Sequence, residues 1–530
     1  MALIALYYPA TRAMRLSMST SALSPLTALL AGHDRAPALG APGREPSSYG
    51  DLARQITRVA DDLARAGVAS DDRVAIALPN GPAMASCFLA VAANAAAAPL
   101  NPSYRDAEFE FYFSDLAPRA VILPAGEASP AREVATRAGI AIIELREDLK
   151  DAAGAFTLDY RPSAGSAARR APGNDDIALV LHTSGTTSRP KIVPLSQANL
   201  CASARHITRT LALTADDHCL NIMPLFHIHG LIAAVLSSLA SGGRVTCTPG
   251  FSATAFFGWL DAARPSWYTA VPTMHQVILD RAERNHHVIA RTPLRFIRSS
   301  SSSLPPPVMT RLETVFGCPV LESYGMTEAA HQMTSNPLPP APRKPGAVGL
   351  AAGPQVRTLD KDGHFCATGV EGEVVIRGAN VTAGYANNPD ANASAFAPDR
   401  DGGTPWFRTG DLGVIDSDGY LAISGRIKEI INRGGEKIAP REVDDVLSAH
   451  PDVKQAVTFA IRHAKLGEDV AAAVVMREGA VVTERALRDF AALQLANFKV
   501  PARILFLDEI PTGNTGKLTR IGLAKLLGLE

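Results

Sequence analysis

From Leu52 to Leu211 short apolar runs alternate with longer stretches whose apolar residues recur every three or four positions. Leu52, Ile56, Val59 and Leu63 have helical spacing and stop at Gly67, and Val74 to Leu78 then reads as a buried strand. A helix from about Met84, a strand near Pro99, a helix from Asp106 and a strand at Ala120 to Leu123 continue the series. Ile177 to His182 is a further strand, and Leu200, Ala204, Ile207 and Leu211 mark the helix beyond it. Strands that are apolar on both faces and separated by helices form parallel sheets covered by those helices. The expected class is therefore α/β.

The texture changes beyond Gly349. Glu371 to Gly378, Leu412 to Ile415 and Tyr420 to Gly425 alternate around Gly and Asp turns, predicting a small β subdomain over about 350–427. From Pro440 a compact α+β pattern follows: a helix at Glu442 to Ser448, strands at Val453 to Ile461 and Val470 to Met476, a helix from Glu484 and a strand at Arg503 to Leu507. A chain of 530 residues exceeds what one core serves. The expected organisation is a large N-terminal domain over 18–427 and a small, mobile C-terminal domain over 428–530. Residues 1–17 hold Arg12 and Arg15 without the order of a signal peptide, and Met18 precedes the first helix, so this stretch is expected to be disordered or a non-native start.

A formal net charge of +0 argues against a nucleic acid or an acidic membrane held by bulk electrostatics. The alanine-rich Ala83 to Ala98 is interrupted by Ser86 and Asn94 and is shorter than a bilayer span, so a core helix is expected there. Six cysteines lie scattered without a Cys-x-x-Cys pair, which predicts neither a zinc site nor a disulfide framework and fits a reducing cytoplasm.

The strand at Ile177 runs into His182-Thr183-Ser184-Gly185-Thr186-Thr187-Ser188-Arg189-Pro190-Lys191. Its hydroxyls, its glycine and its two cations offer an anion many donors and no acid, although the Walker spacing is absent. A loop placed between strand and helix lies where α/β proteins bind ligands. Four more segments follow in order: Tyr324-Gly325-Met326-Thr327-Glu328, Trp406-Phe407-Arg408-Thr409-Gly410-Asp411, Gly425-Arg426-Ile427-Lys428-Glu429 with Arg433-Gly434-Gly435, and Gly513-Asn514-Thr515-Gly516-Lys517. In this order and spacing, from about Tyr49 to Lys517, the chain resembles the acyl-adenylate-forming superfamily of acyl-CoA synthetases, luciferases and peptide-synthetase adenylation domains.

The resemblance implies a carboxylate attacking ATP, then a thiolate of CoA displacing AMP. It implies that Thr183, Ser184, Gly185, Thr186, Thr187 and Lys191 wrap the β- and γ-phosphates and that Thr327 donates to the α-phosphate. Glu328 would carry Mg²⁺, which takes oxygen ligands from a carboxylate and from substrate phosphates. Asp411 matches the ribose-binding carboxylate, with Arg426 as a second ribose contact. Ser300, Ser301 and Ser302, with Ser323, Tyr324 and Gly325, fall where relatives place small residues and an aromatic against adenine. Relatives carry Gly or Ala and then Pro in the first of these segments, so its serines are a departure. Lys517 is the implied catalytic lysine, its long stem reaching across a domain interface. Lys428 matches the hinge, and Arg433, Gly434 and Gly435 match the loop that lines the pantetheine tunnel.

For the carboxylate, Pro224 to Gly230 and Trp267 to Pro272 match segments that line the acyl pocket. His227, His229, Ser300, Ser302 and His331 would gather there as donors, His227 among the catalytic set with Thr327, Glu328 and Lys517. A buried donor set without a polar substrate is costly, which favours a small dicarboxylic acid. The wording from Met326 to Pro339 and from Ile427 to Lys437 looks most like the oxalyl-CoA synthetase branch. CoA ligases for malonate, short-chain fatty acids or coumarate-like acids share much of this text, and a non-catalytic adenylate binder is the third alternative.

Overall fold

A computed structural model describes residues 23–30, 32–163, 167–168, 170–183, 190–400, 402–511 and 520–529. The first sheet has seven strands in the order Thr157–Asp159, Ala141–Arg146, Ala120–Pro124, Arg73–Ile76, Ala96–Pro99, Ile177–Thr183 and Lys191–Ser196. Its interior pairs are parallel, and the strand at each edge is antiparallel to its neighbour. The second sheet has nine strands. Val320–Met326, Phe296–Ser299, Trp267–Ala270, His218–Asn221, Arg244–Cys247 and Pro37–Ala41 form its parallel centre.

The alanine-rich segment is a helix only over Pro82–Ala92, every residue of it buried, and its end, Ala96 to Ala98, lies in the strand Ala96–Pro99 instead. The helix touches strands of both sheets, and a helix enclosed on all sides is apolar all round. No helix of the described residues is long and apolar enough to cross a membrane. By contrast, the helix Tyr49–Arg65 buries one stripe that includes Leu52, Ile56, Val59 and Leu63, and Ser48 and Asp51 cap it reciprocally.

One expectation needs correcting. The Thr183 loop does not run from strand to helix. It joins Ile177–Thr183 to an antiparallel strand, Lys191–Ser196, and the helix Gln197–Thr210 starts only after that strand. The hairpin returns Lys191 opposite Thr183, so the hydroxyl end of the loop and its cation end meet.

Five short strands, including Gly372–Arg377, Trp406–Ile415 and Leu421–Arg426, form a separate antiparallel sheet. A turn at Ile427–Glu429 then leads into the last sheet, where Ile431–Arg433 and Glu436–Ile438 make a hairpin beside Gly467–Met476, Val453–His463 and Arg503–Phe506. The helices Pro440–Ser448 and Glu484–Ala492 close it, and Val443, Leu447, Val470, Val474 and Leu487 share a core distinct from that of the large domain. The fold is a large domain of mostly parallel, helix-covered sheets followed by a smaller α+β domain. All six cysteines are free thiols, five of them buried.

Candidate active site

Phe296–Ser299 and Val320–Met326 run parallel in the nine-stranded sheet, so Ser300 and Tyr324 emerge together at carboxyl ends of strands, where open α/β sheets hold ligands. The Tyr324 hydroxyl donates to Asp411, 87 residues on. Arg426 Nε donates to the other Asp411 oxygen at 2.7 Å. The pairing of Asp411 with Arg426 across neighbouring strands fixes that contact. Asp411 is buried, and its carboxylate holds the Arg426 guanidinium above its ordinary range. Burial, then the charge of Asp411, raises the Tyr324 phenol. Ser300 donates to the Ser323 carbonyl at 3.0 Å, and the Ser323 hydroxyl donates to that of Ser299. A side chain at Gly325 would place its Cβ 1.6 Å from the His331 carbonyl oxygen, so the close approach of these strands requires glycine.

Glu328 is buried in a short turn, Thr327–Ala329, with Thr327 half-buried beside it. Tyr385 donates to Glu328 Oε1 at 2.9 Å, and Lys191 Nζ stands 4.3 Å from the centre of the Tyr385 ring. A carboxylate and an ammonium therefore face one another across one aromatic. Burial raises the Glu328 carboxyl and lowers the Lys191 ammonium, which Lys428 lowers further by repulsion. Among the described residues no three His, Cys, Asp or Glu side chains gather around a point. Glu328 is the carboxylate here that offers oxygen to a hard cation such as Mg²⁺. Ser184, Gly185, Thr186, Thr187 and Lys517 lie outside the described residues.

The segment expected to line the carboxylate opens a buried π-helix, His229–Leu236, a departure from α geometry that recurs at functional sites. His229 Nε2 meets Thr269 Oγ1 at 2.6 Å and its Nδ1 meets Ser301 Oγ at 3.1 Å. The His331 ring lies 4.9 Å from the His229 ring, tilted by 33°. His227 is half-buried, and its Nδ1 accepts from the His229 backbone N–H at 3.3 Å. The structure thus brings His227, His229, His331 and Ser301 together. Ser300 and Ser302 have other partners. The Ser300 hydroxyl is already bonded within the strand pair, and Ser302 is exposed with its hydroxyl on the Ser301 carbonyl. Ser301, read as an adenine neighbour, takes their place beside the histidines.

Sequence reasoning missed Arg298. Its Nη1 reaches His331 Nε2 at 3.2 Å, His229 Nε2 at 3.4 Å and Thr269 Oγ1 at 3.5 Å, and its Nη2 reaches Gln332 Oε1 at 3.4 Å. The whole residue is buried, and desolvation brings its guanidinium down to about 9. In a strand reading Phe-Ile-Arg-Ser an arginine looks like a solvent-facing residue, and no spacing signal marks it.

In the small domain, Arg433 Nε donates to Asp469 at 2.6 Å, and Gly434 and Gly435 form the hairpin tip with φ of 61° and 100°. Two consecutive positive φ values are the geometry of a type I′ turn. Lys428 is exposed in the turn between the sheets.

The AMP-binding enzyme family model matches residues 28–386, and the AMP-binding enzyme C-terminal domain matches residues 442–517. An oxalate–CoA ligase of Arabidopsis thaliana is 46% identical over 91% of this chain and 94% of its own. An oxalate–CoA ligase of Saccharomyces cerevisiae is 40% identical over 86% of each. The crystal structure of ATP-bound MatB from Rhodopseudomonas palustris superposes with a TM-score of 0.82 at 30% identity, covering 95% of this chain and 98% of that one.

Proposed function

The chain belongs to the AMP-binding enzyme family and is an acid–thiol ligase using a carboxylate, ATP and CoA, and we propose that its acid is oxalate. An oxalate oxygen attacks the α-phosphorus and pyrophosphate leaves; the CoA thiolate then attacks the oxalyl carbonyl and AMP leaves. Oxalyl-CoA, AMP and pyrophosphate are the products. One observation carries the choice of acid: His229, His331, Ser301 and Thr269 form a connected polar wall beside the nucleotide corner. The Ser301 hydroxyl, bonded to His229 Nδ1, can give its own proton to an acid oxygen but not to an alkyl chain, a difference of about 1–3 kcal/mol.

Two anions meet in the first step, so the site must supply fixed positive charge and donors at the α-phosphate. Lys517 brings that charge from the C-terminal domain, and Thr327 donates beside it. Thr183, Ser184, Gly185, Thr186, Thr187 and Lys191 hold the β- and γ-phosphates. Asp411 and Arg426 hold the ribose, while Tyr324, Ser323, Gly325 and the Ser300–Ser302 turn bound the adenine. Glu328 holds Mg²⁺, which neutralises the phosphates when bound. In the second step the 428–530 domain turns about Lys428, and Arg433, Gly434 and Gly435 line the way for pantetheine. Six unpaired thiols suit a reducing cytoplasm.

The test is AMP release with ATP, Mg²⁺ and CoA across oxalate, malonate, acetate, octanoate and coumarate. Oxalate is expected to give the highest kcat/KM. Preference for octanoate or coumarate would refute the oxalate reading.

A further inference from the structure

Arg298 is a wholly buried cation, and among the described residues no carboxylate lies within ion-pair distance of it. The contrast within the same protein is direct. Arg295 pairs with Asp217, Arg426 with Asp411, Arg433 with Asp469 and Arg520 with Asp444. Arg298 instead meets neutral acceptors at 3.2–3.5 Å, and its Nε has no acceptor at all. A charge held this way destabilises a fold unless something else brings the opposite charge.

The neighbourhood is built around that charge. Nη1, which can only donate, points at the Nε2 atoms of His331 at 3.2 Å and His229 at 3.4 Å; where those bonds form each ring accepts there and carries its proton on Nδ1, and Thr269 then donates to His229 Nε2 at 2.6 Å. For His229 that proton goes to Ser301 Oγ, and the Ser301 hydroxyl is left to donate onward. The backbone is bent to allow this. Ser301, Ala330 and His331 have φ of 74°, 46° and 96°, a region that residues other than glycine seldom enter, and such strain gathers at functional sites.

We propose that Arg298 is a positioning and specificity-determining residue: it fixes the two imidazoles as Nδ1–H donors and supplies the buried positive charge that selects a doubly charged acid over a singly charged one. The inference rests on the reading of the substrate as a small dianion. The anion's distal carboxylate is then the missing counter-charge, reached through the histidine and serine donors.

The test compares wild type with Arg298→Met, which keeps the bulk, and Arg298→Lys, which keeps the charge. In Arg298→Met the KM for oxalate is expected to rise roughly 10- to 100-fold, the span of a lost hydrogen bond to a charged group, while the KM for ATP moves much less. Arg298→Lys is expected to recover part of that loss. The thermal midpoint of the ligand-free Arg298→Met protein is expected to rise, because an unpaired charge has gone, and the further rise produced by oxalate with a non-hydrolysable ATP analogue is expected to vanish. A purely structural arginine gives the opposite signs. A wild-type KM for oxalate in Arg298→Met, an equal loss for oxalate and ATP, or a less stable or insoluble Arg298→Met protein overturns the proposal. If wild type ignores oxalate but uses malonate or sulfoacetate, the oxalate reading alone falls, and Arg298 is judged on that dianion.

Discussion

Asp411→Asn removes one charge and little volume from the point where Tyr324, Arg426 and the proposed ribose site converge. One carboxylate oxygen accepts from Arg426 Nε at 2.7 Å and the other from the Tyr324 hydroxyl. An amide offers one acceptor oxygen and one donor nitrogen; with the oxygen kept on Arg426, which can only donate, the nitrogen faces the Tyr324 hydroxyl, which turns and accepts instead. The Arg426 side chain is 46% exposed, so losing its ion pair costs only about 0.5–1 kcal/mol. Stability is expected to fall by no more than about 1 kcal/mol, leaving the protein folded at 25 °C. Two ribose hydroxyls that donated to a carboxylate would then meet a neutral acceptor at best, each weaker by about 1 kcal/mol. Together these raise the KM for ATP roughly thirtyfold. The assay is pyrophosphate–ATP exchange with oxalate, run with ATP and with 3′-deoxy-ATP. Wild type is expected to discriminate against the deoxynucleotide and the variant to lose most of that discrimination. Full discrimination with an unchanged KM for ATP in Asp411→Asn would refute the ribose role.

Replacing Lys517 with Ala is expected to abolish adenylate formation while sparing thioester formation from synthetic oxalyl-AMP and CoA, checked by assaying the two half-reactions separately. Lys428→Pro is expected to give the reverse split, since a fixed φ in the Ile427–Glu429 turn stops rotation but leaves pyrophosphate exchange largely intact. Glu322 is wholly buried, and burial pushes its carboxyl up from 4.5 to about 7, with Oε2 unpartnered. A raised acid favours the folded state at low pH, so its contribution is complete below about 4.5 and is lost as pH rises through about 7, some 3 kcal/mol in all. Glu322→Gln is therefore expected to gain thermal midpoint on wild type between pH 6 and pH 8, and parallel pH profiles would contradict this.

Much of the fold was legible because burial writes itself into spacing. The stripe of Leu52, Ile56, Val59 and Leu63 and the apolar runs at Val74 and Ala120 lie in the elements expected of them. The strand Lys191–Ser196 was not, because Pro194 argues against a strand, and the strand is tolerated only because it lies at the sheet's edge. At the site, single segments carried Tyr324, Asp411 and Glu328, but not that Tyr324 bonds Asp411 or that Tyr385 bonds Glu328. Those contacts span 87 and 57 residues, and no local pattern encodes them. That Ser301 rather than Ser302 meets His229 was hidden for a related reason: adjacent residues in a turn point different ways, and Ser301 has a positive φ. Arg298 stayed hidden because its meaning lies in the carboxylate that is missing around it.

The most direct test of oxalate–CoA ligation is the product set itself. Wild-type protein incubated with ATP, Mg²⁺, CoA and oxalate is expected to yield oxalyl-CoA, AMP and pyrophosphate in equal amounts, resolved by liquid chromatography with mass spectrometry. Malonate is expected to react poorly and octanoate hardly at all. ADP in place of AMP, or an octanoyl thioester formed faster than the oxalyl one, would contradict it.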